Sequence, residues 1–118
     1  MQILVADDDT DVNGLYRATL ESRGHEVTLC VDGRECLVHY GKGSFDVVIL
    51  DYKMPIYNGI QVAKEILSKN PNQRIILASA YPEESMTNLK ELNTVIPVLP
   101  KPFEPDVLVE AVEGKVKK

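Results

Sequence analysis

Val47-Val48-Ile49-Leu50-Asp51 is a run of four aliphatic residues closed by a carboxylate. Three of the four are β-branched and the run is too short for a helix, so it reads as a strand. It shows no polar alternation, which predicts burial on both faces. A strand covered on both sides belongs to a parallel sheet held between two layers of helix.

Its surroundings repeat the theme in both directions. Toward the N-terminus, Ile3-Leu4-Val5-Ala6 is a second continuous apolar run, and Val27 to Val31 reads as another strand. Toward the C-terminus come Arg74-Ile75-Ile76-Leu77-Ala78 and Val95-Ile96-Pro97-Val98-Leu99. Pro97 has no N–H to give to a ladder, so the last strand is expected at a sheet edge. Amphipathic stretches fill the gaps. Residues 10–22 carry Val12, Leu15, Tyr16 and Thr19 at helical spacing, with Gly24 placed to end the helix. Asp32 is placed to cap a helix reaching Tyr40, where Gly41 and Gly43 break it. Asn58 can cap a third, striped by Val62, Ala63, Ile66 and Leu67. Residues 83–92 have only Met86, Leu89 and Leu92 as anchors. Pro105 suits the first turn of a last helix with Val107, Leu108, Ala111, Val112 and Val116 on one side. Five β-α units in strict alternation predict an α/β fold: a doubly wound, five-stranded parallel sheet with five helices.

The 118 residues make one domain, 1–118. Apolar residues at 44% and charged residues at 26% are ordinary for a globular chain and exclude a disordered one. No apolar run approaches the roughly 18 residues of a membrane helix. The opening residues lack the basic flank and cleavage site of a signal peptide, so a cytoplasmic location is expected. The net charge of −5 is uneven: residues 1–59 hold ten acids and five bases, residues 60–118 eight of each. Asp7, Asp8, Asp9 and Asp11 crowd the first turn after the first strand. That argues against direct nucleic-acid binding, which needs a basic face, and for a cation near Asp8. Cys30 and Cys36 match no disulfide framework or zinc pattern and read as reduced, partly buried thiols. His25 and His39 share no ligand spacing and read as surface or satisfied side chains.

In doubly wound sheets, ligands sit beyond the carboxyl ends of the strands. Those positions hold Asp7, Asp8 and Asp9 after strand 1, Asp51 after strand 3, Ser79 after strand 4 and Lys101 after strand 5. Each has a plain alternative. Asp9 can be a helix cap, Asp51 a turn residue, Lys101 a solvated loop charge and Ser79 the cap of the next helix. Together they describe a site. Clustered carboxylates repel unless a cation sits among them, and hard oxygen ligands suit Mg²⁺. A carboxylate beside a metal, a lysine and a hydroxyl is what an aspartyl-phosphate requires.

Four segments then carry a resemblance: Ile3-Leu4-Val5-Ala6-Asp7-Asp8-Asp9, Val48-Ile49-Leu50-Asp51-Tyr52-Lys53-Met54-Pro55 with Asn58-Gly59, Leu77-Ala78-Ser79-Ala80, and Lys101-Pro102-Phe103. In this order and spacing the chain resembles, over nearly its whole length, the CheY-like receiver domain of two-component response regulators. The resemblance implies the flavodoxin-like strand order 2-1-3-4-5. It implies Asp51 as phosphoacceptor, with Asp8 a direct Mg²⁺ ligand, Asp7 acting through metal-bound water, and the Lys53 carbonyl completing the protein's share. It assigns Ser79 and Lys101 to the phosphoryl oxygens and expects a cis Lys101-Pro102 bond. It implies a phosphoacceptor that catalyses only its own labelling and hydrolysis. The donor would be a sensor histidine kinase or histidine phosphotransfer protein, and a downstream protein target would read a face built from the fourth helix, fifth strand and fifth helix. Phosphorylation-dependent dimerisation stays open, as do a phosphorylation-independent binding module and a piece of a longer regulator. Lys115, Lys117 and Lys118 would complement the end of the last helix.

Two departures matter. Many receivers carry an aromatic switch three residues before the lysine, where this chain has Val98. Lys53 and Tyr81, two residues after Asp51 and Ser79, resemble the pair in sporulation-relay receivers and predict slow loss of phosphate. Two other chemistries fit worse. A haloacid-dehalogenase-type phosphatase needs an Asp where Lys53 stands, and the Asp triplet would repel a flavin phosphate.

Overall fold

The computed structural model describes residues 1–92 and 94–114. Five strands alternate with five helices: β1 (Gln2–Ala6), α1 (Thr10–Glu21), β2 (Glu26–Cys30), α2 (Gly33–Lys42), β3 (Val47–Asp51), α3 (Gly59–Lys69), β4 (Arg74–Ser79), α4 (Pro82–Leu89), β5 (Val98–Pro100) and α5 (Pro105–Glu113). All neighbouring strands pair in parallel, in the order β2-β1-β3-β4-β5. β3 lies at the centre of the sheet with every residue buried.

Period-two alternation divides the sheet's side chains between two cores. Leu4, Val48, Leu50, Ile75 and Leu77 face α2 and α3, meeting Cys36, Val62, Ala63 and Ile66. Ile3, Val5, Val47, Ile49 and Ile76 face α1 and α5, meeting Tyr16, Leu20, Leu108 and Val112. Asn58 caps α3 as its position implied, in a reciprocal pair with Gln61. Gly59, next to it, is required for close approach: a Cβ there would lie 2.5 Å from the Asp51 carbonyl oxygen.

The structure corrects several local expectations. Leu15 faces solvent at 62% exposure, and α1 instead buries Asn13 with Tyr16 and Leu20. The polar residue belongs inside because Asn13 Nδ2 donates to the carbonyls of Asp7 and Cys30, tying α1 to two strand ends. Helix α2 runs through Gly41 and stops at Gly43, since one glycine weakens a helix by only ~1 kcal/mol. β2 begins and ends one residue earlier than expected, leaving Val31 exposed. β5 starts only at Val98, with Val95 outside the sheet and 92% exposed. It does stand at the edge, and Pro97 contributes its carbonyl to the Leu77 N–H. In α4 Met86 faces solvent and Ser85 takes the buried place above Leu89, while in α5 Val107 is exposed. Cys30 and Cys36 are free and wholly buried rather than partly so. Val116, Lys115, Lys117 and Lys118 lie outside the described residues.

Candidate functional site

The carboxyl ends of β1, β3, β4 and the β5–α5 loop meet at one rim. Asp7 follows β1 and is wholly buried. Its position is fixed by its own N–H, which donates to the Cys30 carbonyl, and by the Asp9 N–H, which donates to its Oδ1 at 3.0 Å. Asp51 ends β3, and Asp8 stands exposed beside it. Asp7, Asp8 and Asp51 bring one carboxylate oxygen each to within 4.8 Å of one another. Asp9 does not join them. Its side chain accepts from the Asp11 and Val12 N–H groups, so it is the cap of α1.

Lys101 closes the cluster from the far edge of the sheet. Its Nζ donates to Asp7 Oδ2 at 2.9 Å and to Asp51 Oδ1 at 3.0 Å. Its backbone N–H donates to the Ser79 carbonyl, and the Lys101-Pro102 bond is cis, as expected. Burial pushes the Asp51 carboxyl up to about 6, the Asp7 charge adds to the rise, and Lys101 opposes it. For Lys101, burial works against the ammonium, but the bonds to Asp7 and Asp51 outweigh it and the group is held above its usual range. The charges then decide what else fits. Three carboxylates and one ammonium leave a residual of two negative charges, facing a cavity edge with oxygen donors only. That donor set matches a hard divalent cation of the Mg²⁺ kind.

Ser79 ends β4 with its side chain buried. Its Oγ accepts from the Tyr81 N–H at 2.8 Å and from Ser85 Oγ at 2.7 Å. It is therefore not the cap of α4; that place is Tyr81, which makes no side-chain cap bond. A cavity of about 140 Å³ opens between Asp51, Tyr52, Lys53, Ala80, Tyr81 and Lys101. On its outer lip Lys53 Nζ lies 4.6 Å from the centre of the Tyr81 ring.

The site also has members that the sequence reading left out. Tyr52, nearly buried, bonds through its hydroxyl to Glu84 and Asn88 on α4. Nothing in its local pattern separates it from an ordinary residue after a strand. Ser85 did leave a signal, since it stands four residues before Leu89 on the same helical face. Beneath Asp7, Asn13 Oδ1 and Tyr16 Oη are buried without a hydrogen-bond partner among the described residues. Burial, then Asp7 and Asp51, pushes the Tyr16 phenol far above its ordinary range.

Comparison with known proteins places this arrangement in a family. Residues 3–113 match the family model of the response regulator receiver domain. The chemotaxis protein CheY of Thermotoga maritima is 32% identical, over 99% of this chain and 98% of that protein. Other curated relatives are longer, and this chain spans 24% to 54% of their length. Among solved structures, the chemotaxis protein CheY4 of Vibrio cholerae superposes with a TM-score of 0.88 at 28% identity, covering 98% of each chain. The response regulator TrrA of Thermotoga maritima, solved in complex with Mg²⁺ and BeF, gives 0.84 at 33% identity over 96% of each chain.

Proposed function

Because the chain belongs to the response regulator receiver family, we propose that it is a phosphoacceptor of a two-component system or phosphorelay, with Asp51 as the residue that takes the phosphoryl group. The observation that carries this reading is the placement of Lys101, whose single ammonium joins Asp51 to Asp7 at the mouth of the cavity. A carboxylate so placed is anionic at neutral pH, open on one side and backed by a fixed positive charge.

In the transfer, an Asp51 oxygen attacks phosphorus. The bond from phosphorus to the donor breaks, and its electron pair leaves with the donor, an imidazole nitrogen or a carboxylate. Lys101 turns from bridging two carboxylates to pairing with the phosphoryl oxygens. Ser79, whose lone pairs are already occupied, donates a hydrogen bond to one of them. Asp8 and Asp51 would hold Mg²⁺ directly, Asp7 would do so through water, and the Lys53 carbonyl would complete the set. Bound there, Mg²⁺ supplies charge neutralisation for the transferring group. The Mg²⁺ and BeF bound by the TrrA relative support this assignment.

The donor is a histidine kinase or histidine phosphotransfer protein, and the reader is a downstream protein that contacts the face of α4, β5 and α5. No helix among the described residues is long and apolar enough to cross a membrane. Acetyl phosphate with Mg²⁺ should add one phosphoryl group to the intact protein, seen by mass, and Asp51→Asn should abolish the addition. Stoichiometric labelling of that variant would refute the assignment.

A further inference from the structure

Helix α4 is lightly anchored, and what holds it is polar. Of its eight residues only Ser85 and Leu89 are buried, and Met86 is half exposed. In place of an apolar stripe it turns hydrogen-bonding side chains toward the ends of β3 and β4. Tyr52 Oη donates to Glu84 Oε2 at 2.7 Å and accepts from Asn88 Nδ2 at 2.6 Å. Glu84 and Asn88 are one helical turn apart, so they grip one phenol together. Ser85 Oγ donates to Ser79 Oγ at 2.7 Å, with both side chains wholly buried.

The residues that α4 grips are neighbours of the reacting groups. Tyr52 follows Asp51 directly, and its backbone is clamped: its N–H donates to the Ala78 carbonyl at 2.8 Å, and its carbonyl accepts from the Gly59 N–H at 2.9 Å. Tyr52 is thus held at both its backbone and its ring, directly beside the Asp51 carboxylate. On the other side, a hydroxyl offers two lone pairs and one proton. Ser79 has spent both lone pairs on Tyr81 and Ser85. A phosphoryl oxygen on Asp51 accepts a hydrogen bond from the remaining proton and draws Ser79 toward it. The bond to Ser85 stretches, and α4 loses the tether directly beside Glu84, the residue that holds the Tyr52 hydroxyl.

The position where related chains place an aromatic switch is Val98, on β5, which has no polar tip. We propose that the Tyr52 hydroxyl takes over that coupling: it is a latch that holds α4 in the unphosphorylated protein and is released when Asp51 is phosphorylated. This rests on the phosphoacceptor reading above and makes Tyr52 a positioning residue of the same site. Because such coupling is reciprocal, a protein that captures α4 with the latch open also favours the phosphorylated form.

Hydrogen exchange over residues 82–89, with and without beryllofluoride and Mg²⁺, tests it. In the wild type the mimic should speed exchange of these amides about tenfold, the order expected for losing the two hydrogen bonds of the Tyr52 hydroxyl. Tyr52→Phe keeps the ring and removes only the hydroxyl. It should show fast exchange without the mimic, and the mimic should add little. Glu84→Gln retains an acceptor and should keep the slow exchange, whereas Glu84→Ala should lose it. If Tyr52→Phe leaves α4 slow, or speeds it equally in both states, the latch does not exist. Glu84→Gln behaving like Glu84→Ala would also overturn it, because charge rather than the phenol bond would hold the helix. Labelling by acetyl phosphate is read on the same samples by mass. No labelling of the wild type refutes the phosphoacceptor reading, while labelling with unchanged α4 exchange refutes the latch alone.

Discussion

Lys53 and Tyr81 face each other across the lip of the cavity beside Asp51, ammonium over ring at 4.6 Å. Were Asp51 phosphorylated as proposed, a water hydrolysing it in line would enter by that lip. A phenol ring covers the approach, and the ammonium can turn inward to the phosphoryl oxygens. An exposed cation–π contact is worth about 0.5–1 kcal/mol, so its removal should change the hydrolysis rate about two- to fivefold. The double variant Lys53→Asn, Tyr81→Glu should therefore lose phosphate faster than the wild type, by roughly that factor. Decay of the phosphorylated species, followed by mass, checks it, and an equal or slower decay would remove any role for the pair. The residues of this site differ in how openly the sequence announces them. Asp51 and Lys101 can be found because each follows an apolar run that has to end at the rim. Tyr52 cannot, since its importance lies in a hydroxyl bonded to residues 32 and 36 positions away. Asn13 cannot either, because amphipathic periodicity treats every polar residue as solvent-facing.

Among the elements, the loop from β3 to α3 holds the one strained backbone position among the described non-glycine residues. Ile56 has φ of 74°, and the Tyr57 N–H reaches back to the Pro55 carbonyl at 2.8 Å. A β-branched residue in that region costs about 1–3 kcal/mol. Glycine would relieve the strain but adds roughly 0.5–1 kcal/mol of chain entropy on folding. Relief outweighs entropy, so Ile56→Gly should stabilise the protein by about 1 kcal/mol, measured by urea denaturation. A destabilised variant would mean that the half-exposed side chain contributes more than its backbone costs. Element boundaries were legible where one residue type decides the matter, as with the Asn58 cap of α3. They were not where tertiary pairing decides. β5 begins where Leu77 and Val98 come into register, and nothing between Val95 and Pro97 marks that point.

At the scale of the whole molecule, the turn between α1 and β2 is tied to the end of α5 on the side away from the site. Glu113, the last residue of α5, accepts both guanidinium N–H groups of Arg23, at 2.9 and 3.1 Å, and lies 3.0 Å from His25 Nε2. Arg23, then His25, holds its carboxyl down at about 2, against an ordinary value of 4.5. A folded-state value below the unfolded one gives stability that is complete above about pH 4.5 and is lost as pH falls toward 2. Thermal unfolding between pH 5 and 2 should be steeper in pH for the wild type than for Glu113→Gln. Parallel curves would show that the tie contributes nothing on folding.

The same ammonium that joins Asp7 to Asp51 has a meaning for how the chain comes to maturity. Lys101 lies 94 residues from one partner and 50 from the other, on the first, central and last strands' ends. The charged clasp can close only after the ends of β1, β3 and β5 have been brought to one rim. A chain clipped before Lys101 keeps the Asp51 carboxylate but not its counter-charge. On the proposed reading, competence to accept a phosphoryl group then depends on the assembled sheet and not on Asp51 alone.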